Sequence, residues 1–414
     1  MRVRRKERRV SQQPETDPGL LSGTLRGTNQ SGMRAQNERL VLTLLRRNGS
    51  LAKAEIARLT GLSAQTVSVI MRALEADGLI ERGEPRRGRI GQPSVPMHLA
   101  PNGACFLGLK VGRRSVELVA IDFVGRVHGT RQKTHRFPAP EGVLRFVREA
   151  IPELVAELPE ILRGRIVGLG IGLPFHLWDW ADPLGVPLED MAAWRDADLR
   201  AAIASELPFP VHVENDASAA CNAEIVFGTR QGPGGLQDFL YAYIGFFAGG
   251  GLVLDGRLVR GRTGNAGALG SIPVPDGTGR STQLLRIASL CRLEATLVER
   301  GVDASRIWDS PVDWQIDKDI LSDWIERSAR ALAHATASSA ALLDLEALVI
   351  DGWLPEMVRA RLVVETRQAL RRIDLSGSSV PEVLEGSIGP RARSLGSASL
   401  PLSERFLVDP GAEG

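Results

Sequence analysis

Residues 63–68 (SAQTVS) place several short hydrogen-bonding side chains at the start of a helical pattern. Ser63 is positioned to cap that helix. Three further side chains, those of Gln65, Thr66 and Ser68, lie on or beside its exposed first turns. Amide and hydroxyl groups of this size can hydrogen-bond the edges of bases in the major groove. We therefore interpret these four residues as a DNA-reading surface.

The residues around this run, 35–97, have the pattern of a winged helix-turn-helix. Apolar residues with helical spacing predict three short helices followed by a strand. The predicted boundaries of these elements are a helix end at Asn48-Gly49, a cap at Ser50, a turn at Gly61, a helix end at Gly78 and a strand from Leu79. This order presents the third helix to the DNA major groove. A helical bundle used only for packing is the alternative, but it would not need the polar run.

A basic loop that contains Arg86, Arg87 and Arg89 follows the predicted strand. Its glycines, Gly88 and Gly91, are typical of an irregular connection. We interpret the loop as a wing whose arginines contact phosphates or the minor groove. A solvated loop without a DNA contact is the alternative.

The net charge of +2 conceals a separation of charge along the 414 residues. Residues 1–100 contain 18 basic and 9 acidic side chains, whereas residues 101–414 contain 33 and 40. The excess of basic residues therefore coincides with the DNA motif, which suits attraction to phosphates. Residues 1–34, with the cluster RRKERR, are predicted to form a mobile basic arm. A merely solvated tail and an arm that adds non-specific DNA affinity both fit this composition.

Several classes of protein are disfavoured by the sequence. The cysteines Cys105, Cys221 and Cys291 are too far apart to predict a disulfide framework or a cysteine-rich metal motif. No apolar stretch follows the N-terminal charges, so a secretory signal is not predicted. The most apolar long run, residues 239–254, is shorter than a membrane-spanning helix and contains glycines. We expect a cytoplasmic protein that does not associate with membranes.

From Phe106 onward, predicted strands alternate with predicted helices, which is typical of an α/β core. The predicted strands lie within 106–127, 165–177, 211–216, 239–260 and 347–353, and the predicted helices cover 141–163, 217–228, 281–300, 319–343 and 355–373. The length of this region suggests two lobes with a cleft between them. Three prolines in residues 92–101 mark the joint between domains. The predicted domains are therefore the arm 1–34, the winged helix-turn-helix 35–97 and an effector domain 98–414.

Six separated segments carry a more specific signal. In chain order they are GTNQSGMRAQNERLVL, SAQTVSVIMRALEADGLI, GRIGQPSVPMHLAPNG, VENDASAACNAE, GGGLVLDGRLVRG and GNAGALG. Together they resemble the repressors of the ROK family, over residues 27 to 410. The resemblance implies an α/β protein in which an N-terminal winged helix-turn-helix is fused to a two-lobed sugar-kinase-like domain. That domain has the actin/hexokinase-like (ribonuclease H-like) architecture.

The segments that would bind a nucleotide depart from the pattern of active kinases in this family. Lys110 stands where the resemblance implies a carboxylate that helps to organise the metal-nucleotide complex. Arg113 and Arg114 replace small turn residues. The pair Phe246-Phe247 occupies an expected Gly-Thr-Gly turn, and Asp351-Gly352-Trp353 stands near the implied adenosine position. We therefore expect no nucleotide cofactor and no kinase activity.

The segments that would bind a sugar are partly retained. Asn215 and Asp216 match the sugar-binding pair of the family, in which the Asp would act as the base. Capping of the helix that starts at Ala217 is an alternative that is compatible with binding. Ala268 and Ser271 hold the places of a Glu and a His of the family pocket, whereas Glu294 resembles its last sugar-binding Glu. An exposed helix face is the alternative for Glu294.

Other features of the family pocket are missing or ambiguous. The CxCGxxGC loop of zinc-bearing members has no counterpart, and only Cys291 lies nearby, so no metal is expected. His176 and Trp178 could lie near the cleft, where an aromatic ring can stack on a ligand. Core packing is the alternative for Trp178.

The resemblance and the residues together favour a DNA-binding transcriptional regulator. We expect a repressor of genes for carbohydrate uptake or catabolism, with a sugar or sugar derivative as effector. Its predicted partners are a palindromic operator in double-stranded DNA and a second copy of the chain, as a homodimer or a dimer of dimers. A bifunctional sugar kinase with a DNA-binding module is one alternative, and a regulator controlled by a protein partner is another.

Overall fold

The computed structural model describes residues 30–85, 95–175, 177, 188–230 and 234–408. The wing arginines Arg86, Arg87 and Arg89, the side chains His176 and Trp178, and residues 1–29 of the predicted arm lie outside these ranges. Within them, no helix is both long enough and apolar enough to cross a membrane.

The N-terminal unit is a winged helix-turn-helix, as predicted. Its elements are α1 (Gln30–Asn48), β1 (Ser50–Leu51), α2 (Lys53–Thr60), α3 (Ala64–Ala76), β2 (Ile80–Arg82) and β3 (Met97–Leu99). The strands form a small antiparallel sheet in the order β1-β3-β2. Gly61 makes the turn between α2 and α3 with a φ of 69°, a left-handed conformation that favours glycine. The inner face of α3 buries Val67, Ile70, Met71 and Leu74.

Two local predictions in this unit need correction. The prediction that Ser50 caps the second helix is wrong, because Ser50 lies in β1 and pairs with His98. Instead, the Glu55 carboxylate reaches back over the first turn of α2 and accepts from the Ala52 backbone N–H at 2.7 Å. Helix α1 begins at Gln30, inside the segment that was predicted to belong to the arm.

The first lobe of the C-terminal domain is a five-stranded mixed sheet with helices. Its elements are β4 (Cys105–Val111), β5 (Ser115–Asp122), β6 (Val127–Thr134), α4 (Pro140–Glu157), α5 (Glu160–Arg163), β7 (Ile166–Leu173), α6 (Leu188–Asp196), α7 (Leu199–Ala204), β8 (Val211–Asn215) and α8 (Asp216–Phe227). The strand order is β6-β5-β4-β7-β8. Strands β4, β5 and β6 are antiparallel neighbours, whereas β7 and β8 extend the sheet in parallel.

The second lobe repeats this arrangement. Its elements are β9 (Phe239–Ile244), β10 (Ala248–Leu254), β11 (Arg257–Leu258), β12 (Pro273–Pro275), β13 (Ser281–Gln283), α9 (Leu285–Ala288), α10 (Leu290–Glu299), α11 (Arg306–Asp309), α12 (Lys318–Leu343), β14 (Ala347–Gly352), α13 (Glu356–Leu370), β15 (Glu382–Glu385) and α14 (Ala392–Phe406). The main sheet has the order β11-β10-β9-β14-β15, with the same strand directions as the first. Both lobes therefore have the predicted ribonuclease H-like topology.

Some predicted elements differ from the structure in extent. The helix predicted over 281–300 begins only at Leu285, because residues 281–283 form β13 and pair with β12. The helix predicted over 141–163 is interrupted at Leu158-Pro159. Strand β6 and helix α14 were not predicted at all. The omission of α14 matters most, since this helix packs on the sheet of the first lobe and its first turn reaches Tyr243 of the second.

Helix α14 packs against α8 and against strands β4 and β7. The approach is so close that a Cβ atom on Gly170 would lie 1.8 Å from the Ser397 carbonyl oxygen. Likewise, a Cβ atom on Gly396 would lie 1.8 Å from the Ala219 carbonyl oxygen. Glycine at both positions is therefore required by the packing of α14 onto β7 and α8.

The winged helix-turn-helix shares a hydrophobic core with the first lobe and with the end of α14. Phe123 lies at the centre of this interface, with its ring centroid 6.2 Å from that of Phe106 and 4.9 Å from that of Phe406. From α1, the Arg46 guanidinium lies 5.5 Å from the Phe123 ring centre and 5.6 Å from that of Phe227. It also donates to the Phe123 carbonyl oxygen. Burial lowers the pKa of Arg46 to about 10, with Asp122 opposing that shift.

Replacing Arg46 tests whether this interface stabilises the whole chain. We expect Arg46→Ala to lower the free energy of unfolding by about 1 to 3 kcal/mol, because two cation–π contacts and a charged hydrogen bond are lost. Chemical denaturation followed by circular dichroism measures the effect. Arg58→Ala, at an exposed position of α2, serves as the control. Equal stability of the two variants would contradict a stabilising role for Arg46.

Candidate DNA-binding surface and ligand cleft

The start of α3 has the predicted cap. The Ser63 Oγ accepts from the Thr66 backbone N–H at 3.1 Å, and the two side-chain hydroxyls lie 2.8 Å apart. Ser63 and Thr66 are therefore already bonded to each other, whereas Gln65 is exposed to solvent and Ser68 is half-buried. Of the four predicted DNA-reading side chains in this helix, Gln65 is the most accessible to a base edge.

The structure adds two residues to this surface. Val69, with 45% of its surface exposed, and the exposed Arg72 follow Gln65 at helical spacing, so the three share one face of α3. Arg72 Nε donates to the Ser68 carbonyl oxygen at 3.2 Å, and among the described residues no carboxylate pairs with it. A valine can contact a thymine methyl group, and an arginine can contact phosphate or guanine. The spacing of four and seven residues from Gln65 was the signal that could have identified them.

A cavity of about 540 Å³ lies between the two lobes of the C-terminal domain. The first lobe contributes Asn215 and Asp216 to its wall, and the second contributes Phe246 and Phe247. Ala268 and Ser271, at the positions of the missing family Glu and His, also line it. The structure thus brings the predicted pair into a cleft between the lobes.

Asn215 caps α8 and lines the cleft at the same time. Its side-chain oxygen accepts from the backbone N–H groups of Ala217 and Ser218, at 3.0 and 3.3 Å. The capping alternative is therefore realised. The side-chain amide nitrogen has no hydrogen-bond partner within the described part of the chain, so Asn215 retains a donor for a ligand oxygen.

Asp216 is held by an ion pair that the sequence analysis missed. Arg393 Nη1, from the first turn of α14, lies 3.0 Å from Asp216 Oδ2. The two side chains are only 17% and 13% exposed, respectively. The Arg393 guanidinium also lies 4.8 Å from the centre of the Tyr243 ring, in β9. Asp216, in the first lobe, is thereby connected to α14 and to the second lobe.

Lys110 is buried in β4 beside the cleft. Its Nζ donates to Ser115 Oγ at 2.9 Å and lies 3.8 Å from the Glu117 carboxylate. Burial lowers the pKa of Lys110 to about 8, and the positive charge of Arg393 adds to this effect. A buried ammonium group cannot replace a carboxylate as a ligand of a metal-nucleotide complex.

Aromatic side chains occupy the second turn that would contact phosphate. The rings of Phe246 and Phe247 meet edge-on, with centroids 4.8 Å apart, and Trp308 packs on Phe246 at 5.7 Å. The Arg113 guanidinium covers the Phe246 ring at 5.3 Å. Neither phenylalanine side chain can donate a hydrogen bond to a phosphate oxygen.

The third implied nucleotide position contains a buried carboxylate with structural partners. Asp351 accepts from the backbone N–H groups of Gly352 and Gly389, both at 2.9 Å, and from the Tyr241 hydroxyl at 3.2 Å. Burial raises the pKa of Asp351, although these hydrogen bonds oppose the rise. The carboxylate oxygens of Asp351 therefore link β14 to β9 and to the turn before α14.

Glu294 is not part of the cavity wall. Its carboxylate pairs with Arg114, whose guanidinium lies 4.6 Å from the centre of the Trp308 ring. Cys291, one turn earlier in α10, does line the cavity, and burial raises the pKa of its thiol to about 11. Within the described ranges, no group of three or more His, Cys, Asp or Glu side chains is placed to hold a metal ion.

Comparison with known families identifies both units of the chain. Residues 106–403 match the ROK family, and residues 34–81 match a winged helix-turn-helix DNA-binding family. The first match covers most of the chain, including both lobes and most of α14. The second covers the capped helix α3 and the start of β2.

Individual relatives include regulators and kinases. The xylose repressor of Caldicellulosiruptor bescii is 26% identical over 58% of this chain and 59% of its own length. The crystal structure of a ROK family transcriptional regulator, a homologue of the Escherichia coli MLC protein, superposes with a TM-score of 0.64 over 92% of this chain and all of that one, at 19% identity. A ROK family glucokinase from Streptomyces griseus, solved with glucose and AMPPNP, gives a TM-score of 0.53 over 72% of this chain and 99% of that one, at 26% identity.

Variants of α3 test the DNA-reading surface. We expect Gln65→Ala to reduce the preference for the operator over random DNA about tenfold, because one specific base contact is worth about 1 to 3 kcal/mol. We expect Arg72→Gln to weaken operator binding at least as strongly. Fluorescence anisotropy on both DNAs, at one salt concentration, measures the ratio. Gln132→Ala, exposed in β6, is the control, and an unchanged ratio for Gln65→Ala would place the recognition surface elsewhere.

Proposed function

The chain belongs to the ROK family and carries a DNA-binding winged helix-turn-helix, and we propose that it is a repressor whose operator binding is set by a sugar-like ligand in the interlobe cleft. The observation that carries this proposal is the position of α14. Arg393 at its start pairs with Asp216 in the cleft, and Phe406 at its end packs in the core shared with the winged helix-turn-helix. The ligand site and the DNA-binding unit therefore contact the two ends of one rigid element.

The proposed effector is a sugar or a sugar derivative. Asn215 offers a donor and Asp216 an acceptor, which together suit adjacent hydroxyl groups. The relationship to a protein named xylose repressor supports a role in carbohydrate metabolism. Genes for uptake or catabolism of the effector are the proposed targets, and the cytoplasm is the proposed site of action.

The proposed signal begins at the Asp216–Arg393 ion pair. A ligand hydroxyl that hydrogen-bonds Asp216 weakens the attraction of its carboxylate for Arg393, and this weakening changes the restraint on the first turn of α14. Movement of α14 then repacks the core around Phe106, Phe123 and Phe406. Only a ligand that binds the two arrangements with different affinity can transmit such a signal.

The proposed operator is a palindrome bound by a homodimer, or by a dimer of dimers. A single α3 helix reads only one half-site, which provides little specificity. Two copies on a symmetric site present two α3 surfaces about one helical turn of DNA apart. The wing arginines Arg86, Arg87 and Arg89 are proposed to add phosphate or minor-groove contacts.

Catalysis is not part of the proposal, although the family includes kinases. The retained Asp216 favours a bifunctional kinase, but its carboxylate is neutralised by Arg393. Lys110 is a buried ammonium group bonded to Ser115, and Phe246 and Phe247 are apolar rings packed on each other, so neither position fits a metal-nucleotide complex. No cofactor and no metal are therefore proposed.

A phosphotransfer assay tests whether the protein lacks kinase activity. We expect no ATP-dependent phosphorylation of glucose, mannose or xylose by the full chain, because no group replaces the lost phosphate contacts. We also expect none from Arg393→Ala, in which Asp216 is released. Isotope transfer from labelled ATP is the measurement. Turnover that disappears in Asp216→Asn would refute the proposal and support the bifunctional kinase.

The Asp216–Arg393 pair tests the proposed signal. Allosteric coupling is typically worth about 1 to 3 kcal/mol, so the effector should change operator affinity roughly 5- to 150-fold in the unmodified protein. We expect Arg393→Gln to reduce this change to about twofold while specific DNA binding is retained. Titration of operator binding with and without effector measures the coupling.

The control for this experiment is Arg391→Gln. Arg391 is exposed and lies two residues before Arg393, in the turn that precedes α14. Full effector response in Arg393→Gln would show that the signal does not pass through the ion pair. Loss of response in both variants would indicate general damage to this segment.

A further inference from the structure

The charges that line the cleft are unequal in number. Four arginines, Arg113, Arg286, Arg292 and Arg393, contribute to the wall, and Asp216 is the one carboxylate among the lining residues that the structure describes. A neutral sugar would be served by a balance of donors and acceptors, as its hydroxyl groups both donate and accept. A wall whose charged groups are mostly guanidinium groups instead provides donors and positive charge.

We infer that the effector is an anionic sugar derivative, a sugar phosphate or a sugar acid, whose negative group binds Arg286 and Arg292. This inference rests on the proposed function of the cleft and specifies the chemical class of its ligand. The hydroxyl groups of the ligand contact Asn215 and Asp216, on the opposite lobe.

Two of the four arginines already have identified contacts. Arg393 pairs with Asp216, so its charge is balanced within the protein. Arg113 lies over the Phe246 ring, and its guanidinium donates to the Arg136 carbonyl oxygen. These two side chains form part of the wall, and their contacts within the protein make them less available to a ligand.

The other two arginines are available. Arg286 in α9 and Arg292 in α10 are exposed at the cleft, and neither guanidinium forms a hydrogen bond or ion pair with another residue in the described ranges. Both belong to the second lobe, one turn on either side of the buried Ser289. Arginine is well suited to this task, since its planar fork binds phosphate or carboxylate through two parallel hydrogen bonds.

The first lobe adds to the attraction for an anion. Helix α8 has twelve residues and begins at the cleft, with Ala217 and Ser218 in the cavity wall. The aligned peptide dipoles of such a helix place partial positive charge at its N-terminus. A ligand that contacts Asn215 and the two arginines at once would bridge the lobes, which is the contact needed to change their relative arrangement.

Adenine nucleotides are the other anions that such a cleft could attract. They are disfavoured because Phe246 and Phe247 occupy the turn that would face their phosphates. Nucleotide binding is therefore a separate outcome of the test.

Calorimetry on the full chain with matched ligands tests the inference. The probes are glucose, mannose and xylose, the corresponding sugar phosphates, glucuronate and gluconate, with inorganic phosphate and ATP as further arms. We expect at least one sugar phosphate or sugar acid to bind at least tenfold more tightly than its neutral counterpart. Raising the salt concentration from 50 to 500 mM should weaken that binding, since exposed charges are screened. Comparison of phosphates with acids identifies the anionic group.

Variants identify the residues that hold the anion. We expect Arg286→Gln and Arg292→Gln each to weaken the charged ligand about tenfold and the double variant by more, with little effect on a neutral sugar. Arg300→Gln, at the residue that directly follows the helix of Arg292 and outside the cavity wall, is the matched control and should bind normally. Because the two arginines are exposed, their loss is not expected to disturb folding, and thermal unfolding verifies this.

Several outcomes would overturn the inference. Two of them concern the charge: equal affinity for the neutral and charged members of each pair, or binding of the charged ligand that survives the double variant. Two concern the probes: tighter binding of ATP or inorganic phosphate than of any sugar derivative, or no binding of any anionic probe at about 10 mM. A dissociation constant above roughly 10 mM is too weak for a useful effector. The proposed repressor function fails separately, if the unliganded protein shows no preference for its operator.

Discussion

The ion pair between Asp216 and Arg393 is the contact on which the arrangement of the C-terminal domain depends. It joins the first turn of α8 to the first turn of α14, and the Tyr243 ring supports it from the second lobe. Breaking one partner of a largely buried pair leaves a charge without compensation, which is costly. The pair therefore restrains the first turns of α8 and α14, and the proposed effector acts by changing this restraint.

Helix α14 connects the ion pair in the cleft to the DNA-binding unit. Its small residues allow close packing on β7 and α8, its first turn contacts Tyr243 of the second lobe, and its last turn lies in the core shared with the winged helix-turn-helix. Arg46 and the Phe123 cluster hold the DNA-binding unit against the first lobe. Because a packed core has discrete arrangements and does not deform continuously, a change in position at one end of α14 can change the packing at its other end.

The same two-lobed framework occurs in a glucokinase and in a transcriptional regulator, so the framework does not decide the function. The side chains in the cleft do. Here the positions that would hold a nucleotide contain a buried lysine, an aromatic pair and a structural aspartate. The space that remains faces arginines of the second lobe and the polar pair of the first. This combination suits recognition of a ligand more than transfer of a phosphoryl group.

The sequence by itself determined the features whose signals are local. A cap at Ser63, a turn glycine at Gly61 and apolar spacing define α3, and alternating strands and helices define the two lobes. Helix α14 escaped prediction because glycine, serines and Pro401 form helices poorly, whereas their small size is what close packing requires. Arg393 escaped because its partner Asp216 is 177 residues away in the chain. Only the tertiary structure brings these residues together, since their contacts join segments that are far apart in the chain and no local pattern encodes them.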